Sequence, residues 1–243
     1  MIQPMLAETA REPFNSEKHL FEVKWDGVRC IALDGRLQSR DGADLTDRFP
    51  ELKIATRKPA VLDGEIVCFQ DGLPCFNLIQ QRIHKTDRLK VKLAAKAMPA
   101  TYIAFDVLYV EGESVMEKPL LERKGILATL KVDGSFSIGD HVMGNGIRFY
   151  QACVGKGLEG VMAKDCSSPY LLGRRSPYWL KIKGFKEDRF IVCGLTEGEN
   201  DRAKTFGSLI LGKETDSGLV YVGNVGSGFS EEMLQHLTRL FDG

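Results

Sequence analysis

The chain has 243 residues, of which 43% are hydrophobic and 27% charged, as is typical of a soluble globular protein with one large domain or two ordinary ones. Lys and Arg total 33, and so do Asp and Glu, which excludes a whole-chain basic signature for nucleic acid. The six cysteines form no CxxC pair or Cys/His cluster, which indicates reduced core thiols rather than a zinc site. No signal peptide or membrane-spanning apolar run is recognisable, so we expect a cytoplasmic protein.

The stretch 21–29 has the pattern of a short strand that runs into a tight turn. Glu22, Lys24 and Asp26 share one parity, and the apolar residues between them, Trp25 included, share the other. The apolar set is expected to pack in a core while the charged set faces a cleft. A lysine between two acids on an inward face is costly unless it has a function. The pattern therefore predicts that Lys24 is a nucleophile.

Two local signals follow this strand. Asp34-Gly35, flanked by residues 30–33 and 36–39, predicts a tight hairpin. Residues 49–56 are expected to form a short helix, with Asp47 as its N-cap.

The next apolar run, 61–69, is predicted to be a strand with two carboxylates, Asp63 and Glu65, on one face. A turn or bulge at residue 64 explains one acid in such a run, but not the second. Residues 76–96 are predicted to form one basic helix. Such a run is either a solvated helix face or an edge that contacts nucleic acid. Its basic residues are Arg82, Lys85, Arg88, Lys90, Lys92 and Lys96.

The middle of the chain alternates strands and helices. Residues 101–110 are aromatic and β-branched, which predicts a buried strand. Pro119 is placed to open a helix over 120–130, and a second helix is expected over 147–154. Residues 159–164 form a short predicted strand with an acid at its start and a lysine at its end.

A further strand, 178–183, places Lys181 and Lys183 on one face, which suggests an anion site. The charged break at 184–189 predicts a domain boundary. Short strands follow it, and then an amphipathic helix that begins after Ser230.

Taken together, these stretches resemble an ordered set of motifs. They are Glu22-Val23-Lys24-Trp25-Asp26-Gly27-Val28-Arg29, Ser39-Arg40-Asp41-Gly42, Asp63-Gly64-Glu65, Phe105-Asp106, Glu159-Gly160-Val161-Met162-Ala163-Lys164 and Trp179-Leu180-Lys181-Ile182-Lys183. The set resembles motifs I, Ia, III, IIIa, IV and V of the covalent nucleotidyltransferases, in the order and spacing of the ATP-dependent DNA ligases. With Pro4-Met5-Leu6-Ala7 ahead of it, the chain looks most like the compact bacterial and archaeal ligases of end-joining repair.

The resemblance implies an α+β fold. Residues 1–186 would form a nucleotidyltransferase (adenylation) domain of antiparallel sheets with flanking helices, and residues 187–243 an all-β OB-fold domain. The basic motif VI expected near the end of that domain is not visible before Gly243, so we expect the OB-fold to be partial.

The resemblance also implies an activity. An ATP-dependent DNA ligase transfers AMP to its lysine, here Lys24, then to a 5′-phosphate, and finally seals the strand. ATP, held as lysyl-AMP, and Mg²⁺ or Mn²⁺ would be the cofactors. Nicked or broken duplex DNA would be the partner, with a Ku-like end-binding protein. The chain would act as a monomer in the prokaryotic cytoplasm, associated with the nucleoid when on DNA.

Each motif residue inherits an expected role from the resemblance. At the base and sugar, Glu22 would read the adenine amino group, Phe105 would stack on the base, and Arg29 would contact ribose or phosphate. Lys181 and Lys183 would face the phosphate, and Glu65 and Lys164 would complete the pocket. Glu65 and Glu159 would hold the metal. Arg40 binds the nucleotide or the 5′-phosphate of the nick. The expected DNA contacts are Arg40, Arg82, Lys85, Arg88, Arg174 and Arg175.

Two other functions remain open at the level of sequence. An RNA ligase or an mRNA capping guanylyltransferase would share these motifs. A catalytically silent nucleotide- or DNA-binding module would retain the fold without the reaction. The adduct formed on Lys24 with ATP or GTP discriminates between them.

Overall fold

The computed structural model describes residues 1–132, 134, 136–184 and 188–241, and divides into two compact units, 1–184 and 185–243. The predicted boundary between residues 186 and 187 lies outside the described residues. The strands are β1 (Leu6–Thr9), β2 (Ser16–Val23), β3 (Val28–Leu33), β4 (Arg36–Ser39), β5 (Ala60–Gln70), β6 (Leu73–Pro74), β7 (Ala100–Val110), β8 (Glu113–Ser114), β9 (Ser137–Ile138), β10 (His141–Gly144), β11 (Gly160–Asp165), β12 (Arg175–Lys183), β13 (Ile191–Glu197), β14 (Phe206–Thr215) and β15 (Gly218–Val225). The helices are α1 (Phe76–Ile83), α2 (Arg88–Ala97), α3 (Leu120–Leu130), α4 (Gly146–Gly155) and α5 (Glu231–Phe241).

Two sheets make up the described part of the N-terminal unit. The first has the order β1-β12-β11-β2-β10 and the second the order β4-β3-β5-β7-β8, with β6 on β5 and β9 on β7. The pairings are antiparallel, apart from β1 with β12 and β7 with β9. The predicted hairpin is confirmed, since β3 and β4 pair across Asp34-Gly35. This arrangement agrees with the predicted α+β class.

The inner faces of the two sheets share a hydrophobic cluster. Met5, just before β1, and Trp179 of β12 belong to the first sheet's side. They pack in one cluster with Ile31, Phe105 and Leu108 of the second sheet. A second cluster packs α1 and α3 against the second sheet, and a third packs α4 against the first. Helices therefore cover the outer faces of the two sheets. This cover is needed because the central strands carry buried residues on both of their faces.

Two glycines let the backbone approach closely where the cleft is built. A Cβ at Gly27 would lie 2.3 Å from the carbonyl oxygen of Ile66, so only glycine lets the turn after Lys24 pack on β5. Gly160 has φ +143°, and a Cβ there would lie 2.1 Å from the carbonyl oxygen of Ile182. Both glycines lie close in sequence to predicted site residues, Lys24 and Glu159.

The single helix predicted over 76–96 is wrong, because α1 ends at Ile83 and α2 begins at Arg88. The break has a local cause. Asp87 has extended backbone and its side chain accepts a hydrogen bond from the backbone N–H of Lys90 at 2.8 Å, which makes it an N-cap. A new helix therefore starts there.

The helix predicted over 49–56 is also wrong. The chain forms a short 3₁₀ turn at Thr46–Arg48, and Asp47 lies inside this turn rather than capping a helix. Phe49 precedes Pro50 and has φ −129°, ψ 60°. The residue before a proline is pushed out of the helical region, which explains the stop.

Arg82 does not form the DNA contact that the basic run suggested. Its side chain is 1% exposed and forms an ion pair with Glu51, and its guanidinium lies 4.6 Å from the centre of the Phe49 ring. It also donates to the backbone carbonyls of Arg48 and Met98. Arg82 therefore holds α1 against the 3₁₀ turn and the start of β7.

The C-terminal unit contains a three-stranded antiparallel sheet in the order β13-β14-β15 and the helix α5. Phe206, Leu209 and Leu234 form its small core. Ser230 caps α5 as predicted, since its Oγ accepts from the N–H of Met233 at 3.3 Å. Among the described helices of the chain, none has the length and apolar character needed to cross a membrane.

Candidate active site

A cleft of about 270 Å³ opens in the N-terminal unit, between the two sheets. Seven of its lining residues are Lys or Arg and two are Glu, so an electrically neutral chain presents a local cationic site. The lining residues are Leu6, Ala7, Glu22, Val23, Lys24, Trp25, Arg29, Arg40, Glu65, Phe105, Met162, Lys164, Arg175, Trp179, Lys181 and Lys183. Such a cleft is suited to a polyanionic ligand with an apolar end.

Lys24 lies just past the end of β2, where its backbone N–H donates to the carbonyl of Gly160 at 3.0 Å. That bond sets its side chain beside Glu159, with which it forms an ion pair. Lys183 approaches the other oxygen of the same carboxylate, with Nζ 3.1 Å from Oε1. Burial raises the pKa of Glu159, but hydrogen bonding and charge from Lys24 and Lys183 outweigh it and leave the pKa below its usual value.

Glu22 lies two residues before Lys24 and is 3% exposed. Its Oε1 pairs with Nζ of Lys124 from α3, and its Oε2 lies 2.6 Å from Nζ of Lys164. Burial raises the pKa of Glu22, yet the two ammonium groups together hold it below its usual value. The carboxylate is therefore ionised and its two oxygens are both engaged.

Lys164 is the most enclosed cation of the cleft lining that the structure describes, at 1% exposure. Its Nζ lies 4.3 Å from the centre of the Phe105 ring and 4.1 Å from that of Trp179. Burial lowers the pKa of this lysine to about 8, against the opposing charge of Glu22. An anionic ligand in the cleft would restore its full charge.

Arg29 is fixed by a chain of buried polar contacts. Its Nε and Nη2 each lie 2.6 Å from an oxygen of Asp63, which is a bidentate pair. Tyr170 donates to the same carboxylate at 2.6 Å. The guanidinium also lies 4.7 Å from the centre of the Phe105 ring. Asp63 thus serves to orient Arg29 rather than to face the ligand.

Glu65 is opposite Arg29 in the β3–β5 ladder and lines the cleft. Burial raises its pKa to about 8, although Arg29 and Lys24 act in the other direction. Within the described residues, its carboxylate has no hydrogen-bond or ion-pair partner, so its oxygens are available to a divalent cation. Glu65 and Glu159 would supply two carboxylates, and Mg²⁺ needs no more because it keeps several waters.

All nine predicted nucleotide-site residues line this one cleft: Lys24, Glu22, Arg29, Arg40, Glu65, Phe105, Lys164, Lys181 and Lys183. Glu159 reaches it through Lys24. Of the expected DNA contacts, Arg175 also lines the cleft, whereas Arg88 and Arg174 are exposed and Lys85 is half-buried. The individual roles remain predictions.

Three residues of the site were not predicted. Trp25 was expected in the core, but it lies beyond the end of β2, where the alternation of faces stops, and it lines the cleft with its ring 6.3 Å from that of Phe69. Trp179 lines the cleft and is buried. Lys124 had a readable signal: it occupies the same face of α3 as Leu120 and Leu127, where a cation requires a buried partner.

Comparison with known proteins identifies the family. Residues 4–183 match the family model described as ATP dependent DNA ligase domain, and residues 202–242 match the ATP dependent DNA ligase C terminal region. The chain is 34% identical to the SPbeta prophage-derived DNA ligase-like protein LigB of Bacillus subtilis, over 81% of this chain and 72% of that protein.

Two mycobacterial proteins extend the comparison. The chain is 34% identical to the multifunctional non-homologous end joining protein LigD of Mycolicibacterium smegmatis, over 96% of this chain and 30% of that protein. The chain thus spans less than a third of that relative's length. A solved mycobacterial DNA ligase D complexed with ATP and MES superposes with a TM-score of 0.65 and 28% identity, over 99% of this chain and 77% of that one.

The C-terminal sheet and helix accordingly form an OB-fold-like domain, and the N-terminal unit a nucleotidyltransferase domain. With the family model covering most of its length, and with its motif residues gathered in one cationic cleft, this chain belongs to the ATP-dependent DNA ligase family.

Proposed function

We propose that this chain seals nicks or breaks in duplex DNA by passing AMP through Lys24. Its Nζ would attack the α-phosphorus of ATP, the bond to pyrophosphate would break, and a phosphoramidate would form. The observation that carries the proposal is the placement of Lys24: a side chain 20% exposed, anchored through its backbone to β11, at the edge of a cationic cleft. An amine in that place can be shielded from water and still reach a phosphate.

The inner end of the cleft would hold the base. Glu22 would accept a hydrogen bond from the adenine amino group, and the ring of Phe105 would stack on the base. Arg29 would reach the ribose or a phosphate, and its bidentate bond to Asp63 supports that task by fixing the direction of the guanidinium. Lys164 lies against the same aromatic rings and would face the nucleotide.

The outer end would hold the phosphates. Desolvation together with the neighbouring charges of Arg175, Lys183 and Lys24 lowers the pKa of Lys181. So many cations at one edge repel one another unless an anion lies between them. Lys181 and Lys183 would therefore stabilise the charge that builds on the α-phosphate in the transition state.

Glu65 and Glu159 would hold Mg²⁺ or Mn²⁺. A divalent cation bound there would withdraw charge from the phosphate oxygens and help the leaving group depart. Glu159 would exchange one of its lysine partners for the metal, and Glu65 would lose its proton on binding, because its pKa of about 8 reflects burial without a partner. Glu65 thus contributes a second oxygen donor and Glu159 the first.

AMP would then pass from Lys24 to the 5′-phosphate of a nick, and the neighbouring 3′-hydroxyl would displace it. Duplex DNA would be held by the exposed cations Arg40, Arg88, Arg174 and Arg175, with the half-buried Lys85. The OB-fold-like domain would contribute a second DNA surface. The name of the mycobacterial relative supports a role in end joining. We further propose that the chain acts as a monomer and works with a Ku-like end-binding partner.

The test uses a nicked duplex with a labelled 5′-phosphate, incubated with ATP and Mg²⁺. Wild-type protein is expected to seal it, and Lys24→Ala to leave it open, while Lys58→Ala, an exposed lysine paired with Glu111, serves as the matched control and seals normally. Matched nicks with RNA strands and reactions with GTP test the RNA ligase and capping alternatives. Sealing by Lys24→Ala at the wild-type rate would refute the covalent mechanism.

A further inference from the structure

Helix α3 sends two cations into the interior of the N-terminal unit. Arg123 is fully buried and forms a bidentate pair with Asp106, at 2.8 Å and 2.9 Å. Lys124 follows it directly, is 6% exposed, and pairs with Glu22 across 102 positions of sequence. A buried lysine costs several kcal/mol unless a carboxylate meets it, so this contact determines where both side chains can lie.

Lys124 differs from the other lysine on Glu22. Lys164 lines the cleft and lies against two aromatic rings, so it can touch a bound nucleotide. Lys124 lies behind Glu22 on α3 and lies outside the described lining of the cleft. The hydrogen-bonded route from Lys124 to a ligand therefore runs through Glu22.

The carboxylate of Glu22 keeps acceptor capacity for a ligand. Two carboxylate oxygens offer about four lone-pair sites, and the two lysines occupy two of them. An ionised carboxylate can only accept hydrogen bonds. The amino group at position 6 of adenine donates to it, whereas the carbonyl at position 6 of guanine presents lone pairs and is repelled.

We propose that Lys124 is a positioning residue that holds Glu22 ionised and oriented, and thereby sets the preference for adenine over guanine nucleotides. The inference rests on the proposed function, because it takes the base to lie at Glu22. Without Lys124, Glu22 keeps Lys164 as its remaining described cationic partner, so its carboxyl can rotate about that contact and takes up a proton more readily. A protonated carboxyl can donate to the guanine carbonyl, and a rotated carboxylate no longer accepts from the adenine amino group, so discrimination falls.

The test is a competition in one tube. Protein is incubated with equal concentrations of ATP and GTP and Mg²⁺, and the ratio of AMP to GMP adducts is read from the intact-protein mass spectrum. This ratio does not depend on the fraction of protein that is folded. Lys124→Met is expected to lower the ratio at least about tenfold, since a site built around one hydrogen bond loses its selectivity when that bond is disordered.

Matched variants separate positioning from general damage. Lys124→Arg keeps the cation and is expected to keep the ratio within about twofold. Lys118→Met removes an exposed lysine just before the same helix and should leave the ratio unchanged. If Lys124→Met does not fold, Lys124→Gln takes its place in the test. It removes the charge but keeps an N–H donor, and we again expect a lower ratio of AMP to GMP adducts.

The double variant Glu22→Gln/Lys124→Met decides whether Lys124 acts through Glu22. Glu22→Gln alone should lower the ratio, because its amide can donate as well as accept, and adding Lys124→Met should lower it no further. A wild-type ratio in both Lys124→Met and Lys124→Gln, or additive losses in the double variant, would overturn the proposal. Failure of the proposed function would be a different result: no nucleotide adduct on the wild-type protein.

Discussion

Glu22 and Glu159 each pair with two lysines, but the two groups differ in how deeply they are buried. Glu22 and its partners, Lys124 and Lys164, have side chains between 2% and 5% exposed. Glu159 is 24% exposed, and its partners Lys24 and Lys183 are 20% and 52% exposed. Each group consists of one acid and two amines.

The difference in burial assigns different tasks to the two groups. Exposed ion pairs are screened by water and salt and are worth little, so their members exchange partners readily. A buried pair that loses one partner leaves a charge without water, which is costly. The Glu22 group is therefore a fixed element suited to recognition. The Glu159 group can rearrange, as a lysine must when it leaves its carboxylate and attacks a phosphate.

The largest expected effect on stability comes from breaking the buried group. Glu22→Gln leaves Lys124 and Lys164 without a carboxylate, and the free energy of unfolding should fall by about 3–5 kcal/mol. Urea unfolding followed by tryptophan fluorescence measures it, because both tryptophans, Trp25 and Trp179, belong to the N-terminal unit. A loss below about 1 kcal/mol would contradict the contrast between the two groups.

The pH dependence of stability should also report on the buried group. The folded-state pKa of Lys164 is about 8, below its ordinary 10.5, so between these values the unfolded chain binds more protons than the folded one. Stability due to Lys164 therefore rises as pH increases from about 8 to 10.5. Lys164→Met should remove this rise in urea unfolding curves. An unchanged slope in that variant would show that another group causes it.

Breaking the Glu159 group should affect the rate of the reaction much more than the free energy of unfolding. Glu159→Gln is expected to change the free energy of unfolding by less than about 1 kcal/mol, because Lys183 is half exposed and Glu159 and Lys24 keep partial access to water. Its rate of lysine adenylylation should nevertheless fall about a hundredfold, as for loss of one electrostatic contact in the transition state. Rapid-quench measurement of the adduct gives the rate. A large loss of stability with an unchanged rate would reverse the assignment of tasks.

The smallest effect on stability is expected at Arg40. Its side chain is 62% exposed and its described partner is Asp41, at 3.4 Å. Arg40→Ala should leave unfolding within about 0.5 kcal/mol of wild type. It should weaken binding to nicked duplex and reduce the slope of affinity against salt by about one counterion. Titrations at several salt concentrations provide the slope, and an unchanged slope would remove Arg40 from the DNA surface.

The sequence was informative wherever the signal is local. The hairpin at Asp34-Gly35 and the helix at 120–130 follow from turn chemistry and from proline, which act over a few residues. The cleft residues were found together because each lies in a short motif on or beside a strand. In contrast, the predicted helix over 49–56 does not form, because Pro50 disfavours the helical region for Phe49.

Ion pairs between residues far apart in the chain could not be predicted from local sequence patterns. Arg82 belongs to a basic run typical of a surface, yet Glu51, 31 positions earlier, draws it into the interior. Lys124 lies in an ordinary helix, and its partner Glu22 is 102 positions away. Neither residue type nor spacing identifies such a partner, so the fixed group of the cleft emerged only from the structure.

The central claim is that Lys24 carries AMP. The most direct test is peptide mapping by mass spectrometry. Wild-type protein is incubated with ATP and Mg²⁺, quenched and digested, and its peptides are sequenced under conditions that preserve the acid-labile phosphoramidate bond. We expect one added AMP, on the peptide that contains Lys24, and its transfer to DNA when a nicked duplex is added. An unmodified Lys24 in protein that seals nicks, or AMP attached to another residue, would contradict the account.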